Sequence, residues 1–133
     1  MKLSSESTSP GLRRLLDTKL DTYEKLELVG ILAKQGAMSV TELARELQVG
    51  EDVLRRVAAD LERSNLVEVI TETVHLTATP AELVLIAEGA QLEPRRVVTL
   101  LSSIALDRIR GMSARSFADA FTLRKNKKGD GDG

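Results

Sequence analysis

Apolar residues recur at helical spacing along most of the chain and switch to alternation in one short stretch. Leu26, Val29 and Leu32 share a helical face, and Gly36 follows as a stop. Ser39 opens the next helix, with Glu42 three residues on completing a capping box. Leu43, Ala44 and Leu47 form its apolar stripe, and Gln48-Val49-Gly50 makes the turn that follows. The helix from Glu51 carries Leu54, Val57, Ala58 and Leu61 at i, i+3, i+4 and i+7. Residues 66–70 and 74–77 then alternate as two strands around Thr71-Glu72-Thr73, with a short third strand expected near Met38.

The flanks are helical too. Ser9-Pro10 starts a helix with proline at its first position, and Leu12, Leu15, Leu16 and Leu20 give it an apolar side. Asp21 with Glu24 resembles a second cap, so residues 10–35 read as two helices or one bent helix. Gly30 in this region admits a close neighbour, at about 1 kcal/mol relative to alanine. Thr79-Pro80 is another start signal, for a short helix over 81–90. Glu93-Pro94 begins a longer helix with a broad stripe of Val97, Leu100, Leu101, Ile104, Ala105 and Ile109, which Gly111 is expected to break. Ser113 is expected to cap a last helix carrying Phe117 and Phe121.

The order helix, helix, turn, helix, hairpin predicts a mainly α fold with a small β-hairpin wing, that is, a winged helix-turn-helix plus C-terminal helices. The expected organisation is a disordered N-terminus over 1–9 and a winged helix-turn-helix domain with its N-terminal helix over 10–79. A C-terminal helical extension over 80–124 follows, then a disordered tail over 125–133. The stripe in the extension has two readings of equal weight, packing on the winged core and dimerisation.

Composition narrows the chemistry. Of the 133 residues 42% are hydrophobic but only 2% aromatic, so the core must be aliphatic. There is no cysteine, and the single histidine, His75, cannot build a multi-histidine metal cluster. The start MKLSSESTSP has no apolar centre and does not read as a signal peptide. The apolar run 83–87 is far too short to span a membrane, so a cytoplasmic protein is expected. No phosphate loop, nucleophile elbow or HExxH is present. The chain reads as a non-enzyme with no cofactor and no metal.

Net charge is -1, unevenly spread. Residues 22–80 hold ten acidic and six basic side chains, whereas 81–133 hold seven and nine. The winged core is therefore the acidic part, which a strong non-specific DNA binder would not be. Against this, the helix from Glu51 turns Asp52, Arg55, Arg56, Ala59 and Arg63 away from its apolar face. An arginine can take guanine O6 and N7 together, and a small residue lets the backbone come close. The competing reading is a solvated face with i, i+4 pairs such as Glu51 with Arg55. His75 reads as a surface residue and Tyr23 as a packing residue with its hydroxyl in water. Phe117 and Phe121 read as packing residues first and partner anchors second, and Lys125, Lys127 and Lys128 as part of a solvated tail.

The words SVTELARELQVGEDVLRRVAADLERSNLVEV and VHLT resemble the DNA-binding domain of bacterial MarR- and ArsR-type repressors, over residues 26–77. KLDTYEKLELVGIL before them, with RRVVTLL and ARSFADAFTLRK after, resemble a group of small bacterial winged-helix proteins of no assigned activity. The resemblance implies a DNA-binding transcriptional regulator, a homodimer through its C-terminal helices, with the helix from Glu51 in the major groove. Arg55 and Arg56 would then read bases, and Arg63 and Lys34 contact phosphate. Two places depart from the family pattern. Gly50, Glu51 and Asp52 stand where Ser or Thr is usual, and the wing carries Glu72 and Glu68 where Lys or Arg is common. The alternative is a winged-helix adaptor that binds protein and not DNA.

Overall fold

The computed structural model describes residues 8–112. Its elements, in chain order, are α1 (Pro10–Thr18), α2 (Tyr23–Gln35), β1 (Met38–Ser39), α3 (Val40–Leu47), α4 (Glu51–Arg63), β2 (Val67–Ile70), β3 (Thr73–Leu76) and α5 (Pro80–Ala90). Residues 94–112 are also helical and are called α6. The three strands form one antiparallel sheet in the order β1-β3-β2. The fold is a winged helix, mainly helical with a small sheet, and the strand near Met38 is present as expected.

Local chemistry explains where the helices begin. Ser9 caps α1, its hydroxyl oxygen accepting from the Leu12 amide at 3.1 Å, with Pro10 in the first helical position. Ser39 and Thr79 each build a full capping box, with Glu42 and Glu82 as the reciprocal partners. Gly36 ends α2 at φ +89°, a conformation that side chains resist.

Two boundaries differ from expectation. Residues 10–35 form two helices, but the cap of α2 is Thr22, which accepts from the Lys25 amide at 3.3 Å. Asp21 instead pairs with the Lys25 ammonium at 2.7 Å, one helical turn on. Gly111 does not break α6, which is helical through residue 112. A glycine inside a helix costs only about 1 kcal/mol, which the neighbouring helix formers can absorb.

Contacts divide the chain into two units, one ending at Leu101 and one beginning at Ser102. The core of the first is aliphatic: Leu12, Leu16, Leu28, Leu43, Leu54, Leu61, Leu66 and Ile86 are all fully enclosed. No polar or charged residue is buried among the described residues. α2 packs against α3, α4 and β3 on one hand and α5 on the other, which is why it buries Leu26, Leu28, Val29 and Leu32 around much of its circumference. In the described part of the second unit Ile104 is buried, whereas Leu106, Ile109 and Met112 are about half exposed. The N-terminal segment before residue 8, the helix expected from Ser113 with Phe117 and Phe121, and the tail with Lys125, Lys127 and Lys128 lie outside the described residues. Among the described residues, no helix is long and apolar enough to cross a membrane.

Polar ties fasten α1 to α5. The Ser9 amide and hydroxyl both donate to the Glu88 carboxylate, at 3.1 and 2.7 Å, and Lys19 meets Glu82 at 2.7 Å. Burial alone would raise the Glu82 carboxyl, but hydrogen bonds from Lys19 and the Thr79 amide outweigh it and hold the group below its ordinary value. A carboxyl depressed on folding contributes stability above its unfolded pKa and loses it as pH falls through the lower, folded value. Glu82→Gln can keep the capping box through its amide oxygen and removes the charge together with the Lys19 hydrogen bond. It should therefore melt below wild type at neutral pH, with the gap narrowing as pH falls below the ordinary glutamate value and through the lower, folded one. A gap unchanged by pH in thermal melts would place the loss outside the carboxylate charge.

Candidate nucleic-acid interface

α4 is the third helix of the helix-turn-helix. The turn before it is held by the left-handed Gln48, φ +58°, and by the Val49 amide donating to the Ala44 carbonyl at 3.0 Å. Gly50 caps α4 without a side-chain hydrogen bond, and Glu51 and Asp52 occupy the first turn. Their charges suit the positive end of the helix dipole, so the acidic start stabilises α4 while opposing a phosphate there. Leu54, Ala58 and Leu61 are buried. Asp52, Arg55, Arg56 and Arg63 are exposed and Ala59 is half-buried, so the outer face expected from the periodicity is present.

The arginines on that face differ sharply in their surroundings. Arg55 donates twice to Glu72 at the wing tip, Nη1 to Oε2 at 3.0 Å and Nη2 to Oε1 at 2.6 Å. The expected pair with Glu51 exists but is looser, at 3.6 Å. The hydrogen bond and charge of Arg55 hold the Glu72 carboxyl below its ordinary value, and Glu72 raises the guanidinium in turn. Arg63 is turned back onto Asp60 of its own helix. Arg56 makes no ion pair among the described residues.

The wing reaches Arg55 because of its turn. Ile70 pairs with Thr73, so only Thr71 and Glu72 connect the strands, and Thr73 belongs to β3. Both turn residues have positive φ, +47° and +65°. Two-residue hairpins of this kind match the twist of the strands but favour Asn-Gly. For residues with a β-carbon the left-handed region costs about 1–2 kcal/mol each. The Glu72 carbonyl accepts from the Val40 amide at 2.9 Å, which ties the strained tip to the first residue of α3.

Other candidates lie elsewhere. Lys34 lines a groove of about 200 Å³ with Tyr23, Glu27, Gly30 and Ala90, to which α4 contributes nothing. Burial, and then Glu24, raise the Glu27 carboxyl, while burial and Glu27 raise the Tyr23 hydroxyl. His75 is half-buried on β3, opposite Glu68 of β2. No group of three or more potential metal ligands occurs among the described residues. Two features of the site escaped the periodicity: the Arg55–Glu72 pair, which spans 17 positions, and the Thr41 hydroxyl donating to Glu51 at 3.1 Å. No local spacing signals either.

No family model matches the chain, and no curated protein matches it. Among solved structures it is similar to the YusO protein from Bacillus subtilis, with 16% identity, a TM-score of 0.45, and coverage of 94% of this chain and 86% of that one.

Proposed function

We propose that the chain is a DNA-binding transcriptional regulator of winged-helix type, acting as a homodimer. The observation that carries this reading is the outer face of α4, where Arg55, Arg56 and Arg63 are exposed around the smaller Ala59 with a wing alongside. A helix of this form presents its side chains to base edges in the major groove. Arg56 would be the first base reader, since it is unpaired among the described residues. The exposed Leu106, Ile109 and Met112 of α6 are apolar surface suited to a second copy.

A second reading, a protein-binding adaptor, is favoured by one observation. Glu51 and Glu72 engage Arg55, and Asp52 adds a further acid in the first turn of α4.

The test is a salt-titrated binding assay on mixed genomic duplex fragments, with light scattering on the same sample. The expected result is a dimer that binds at low salt, with a shallow salt slope because few phosphates are neutralised. At a specific site selected from those fragments, Arg56→Ala should weaken binding by about 1–3 kcal/mol. A protein that binds no duplex at low salt supports the adaptor instead.

A further inference from the structure

The guanidinium of Arg55 is held between two carboxylates, each anchored to another part of the fold. Glu72 sits on a turn whose backbone is hydrogen-bonded to Val40, and its two oxygens take the two terminal nitrogens of Arg55, at 2.6 and 3.0 Å. Glu51, at 3.6 Å from Arg55, accepts the Thr41 hydroxyl through its other oxygen. A paired-acceptor arrangement of this sort is what a guanine edge or a phosphate offers an arginine. The wing tip thus supplies, from inside the molecule, the contact that nucleic acid would otherwise make.

We propose that Glu72 is a selectivity residue of the DNA interface: by occupying Arg55 it suppresses binding to non-cognate duplex. The proposal rests on the DNA-binding reading. On arbitrary sequence Arg55 can gain only a phosphate, so giving up its bidentate pair with Glu72 brings little net return and leaves a carboxylate facing other phosphates. At a cognate site a base edge replaces both lost hydrogen bonds, and only there is the exchange repaid. The strained turn fits this role. Thr71 and Glu72 take left-handed conformations that Asn-Gly would adopt more easily, but a glycine in place of Glu72 could not hold the arginine.

The experiment is a double-mutant cycle read as affinity for random-sequence duplex DNA. It uses the full chain as wild type, Glu72→Gln, Arg55→Ala and the double variant, with Glu68→Gln as a charge control on the same hairpin. Glu72→Gln should bind about fivefold tighter than wild type, the strong end of what an exposed ion pair contributes. The gain should be clearly smaller in the Arg55→Ala background, where only relief of repulsion remains, and Glu68→Gln should show little of it. Equal tightening with and without Arg55 would mean that Glu72 acts by simple repulsion, which overturns the proposal. So would measurable wild-type binding left unchanged by Glu72→Gln, and the DNA-binding reading would then stand. If no variant binds duplex at low salt, that reading falls and the proposal with it. Melting curves for each variant confirm that the differences arise in the folded protein.

Discussion

Replacing Leu61 with alanine should destabilise the protein by about 2–5 kcal/mol, the range for deleting a buried leucine. Leu61 is 0% exposed in the last turn of α4, and its carbonyl accepts the Leu66 amide where the chain turns into the wing. α4 packs on α2, α3 and β2, so a void here lies where all of these converge. Such a loss is a large share of the roughly 5–15 kcal/mol by which a domain is usually stable. Chemical denaturation measures it directly. A midpoint equal to wild type would mean that α4 turns a different face to the core. Val53→Ala, on the same helix but 37% exposed, should cost far less.

The second large effect is expected at Gly89, near the end of α5. A β-carbon built there lies 3.0 Å from Leu26 Cδ1 and 3.4 Å from Leu12 Cδ1, both in the core. Alanine would gain about 1 kcal/mol of helix propensity and give up a comparable amount in crowding, so Gly89→Ala should be close to neutral. Valine adds two methyl groups with nowhere to go, and overpacking of that kind costs about 1–3 kcal/mol. Gly30 is the internal comparison, since a β-carbon there meets only Ala90 Cβ at 3.4 Å. Gly30→Ala should therefore raise the melting temperature while Gly89→Val lowers it. Equal responses at the two positions would show that packing between α2 and α5 does not separate them.

Much of the fold was legible because its signals are local. Ser9-Pro10, Ser39 with Glu42, and Thr79-Pro80 announce helix starts within four residues, and each is realised. The apolar periodicity located Leu54, Ala58 and Leu61 on the inner face of α4 and left the arginines outside. Misreadings arose where two local signals competed. Asp21 and Thr22 are both capping residues, and only the hydroxyl of Thr22 lies in position to accept from Lys25. Leu28 fits no single stripe because α2 is enclosed on more than one side, a tertiary fact. The outer face of α4 was legible as a list of residues, but its electrostatics were not. Whether Arg55 is free depends on a hairpin tip 17 positions away, and that distance in sequence carries no periodic trace.

Ser39 belongs to two structures at once. It is the last residue of β1, opposite Thr73, and the cap whose hydroxyl accepts the Glu42 amide of α3. The next residue, Val40, is buried and donates its amide to the wing-tip carbonyl. No slack separates the sheet from the helix-turn-helix, so neither can open alone. Peeling β3 from β1 would also uncap α3, and fraying of the first turn of α3 would release the tip of the wing. The two act as one cooperative unit in local unfolding, and their amides should share an opening free energy well above that of a free-standing hairpin.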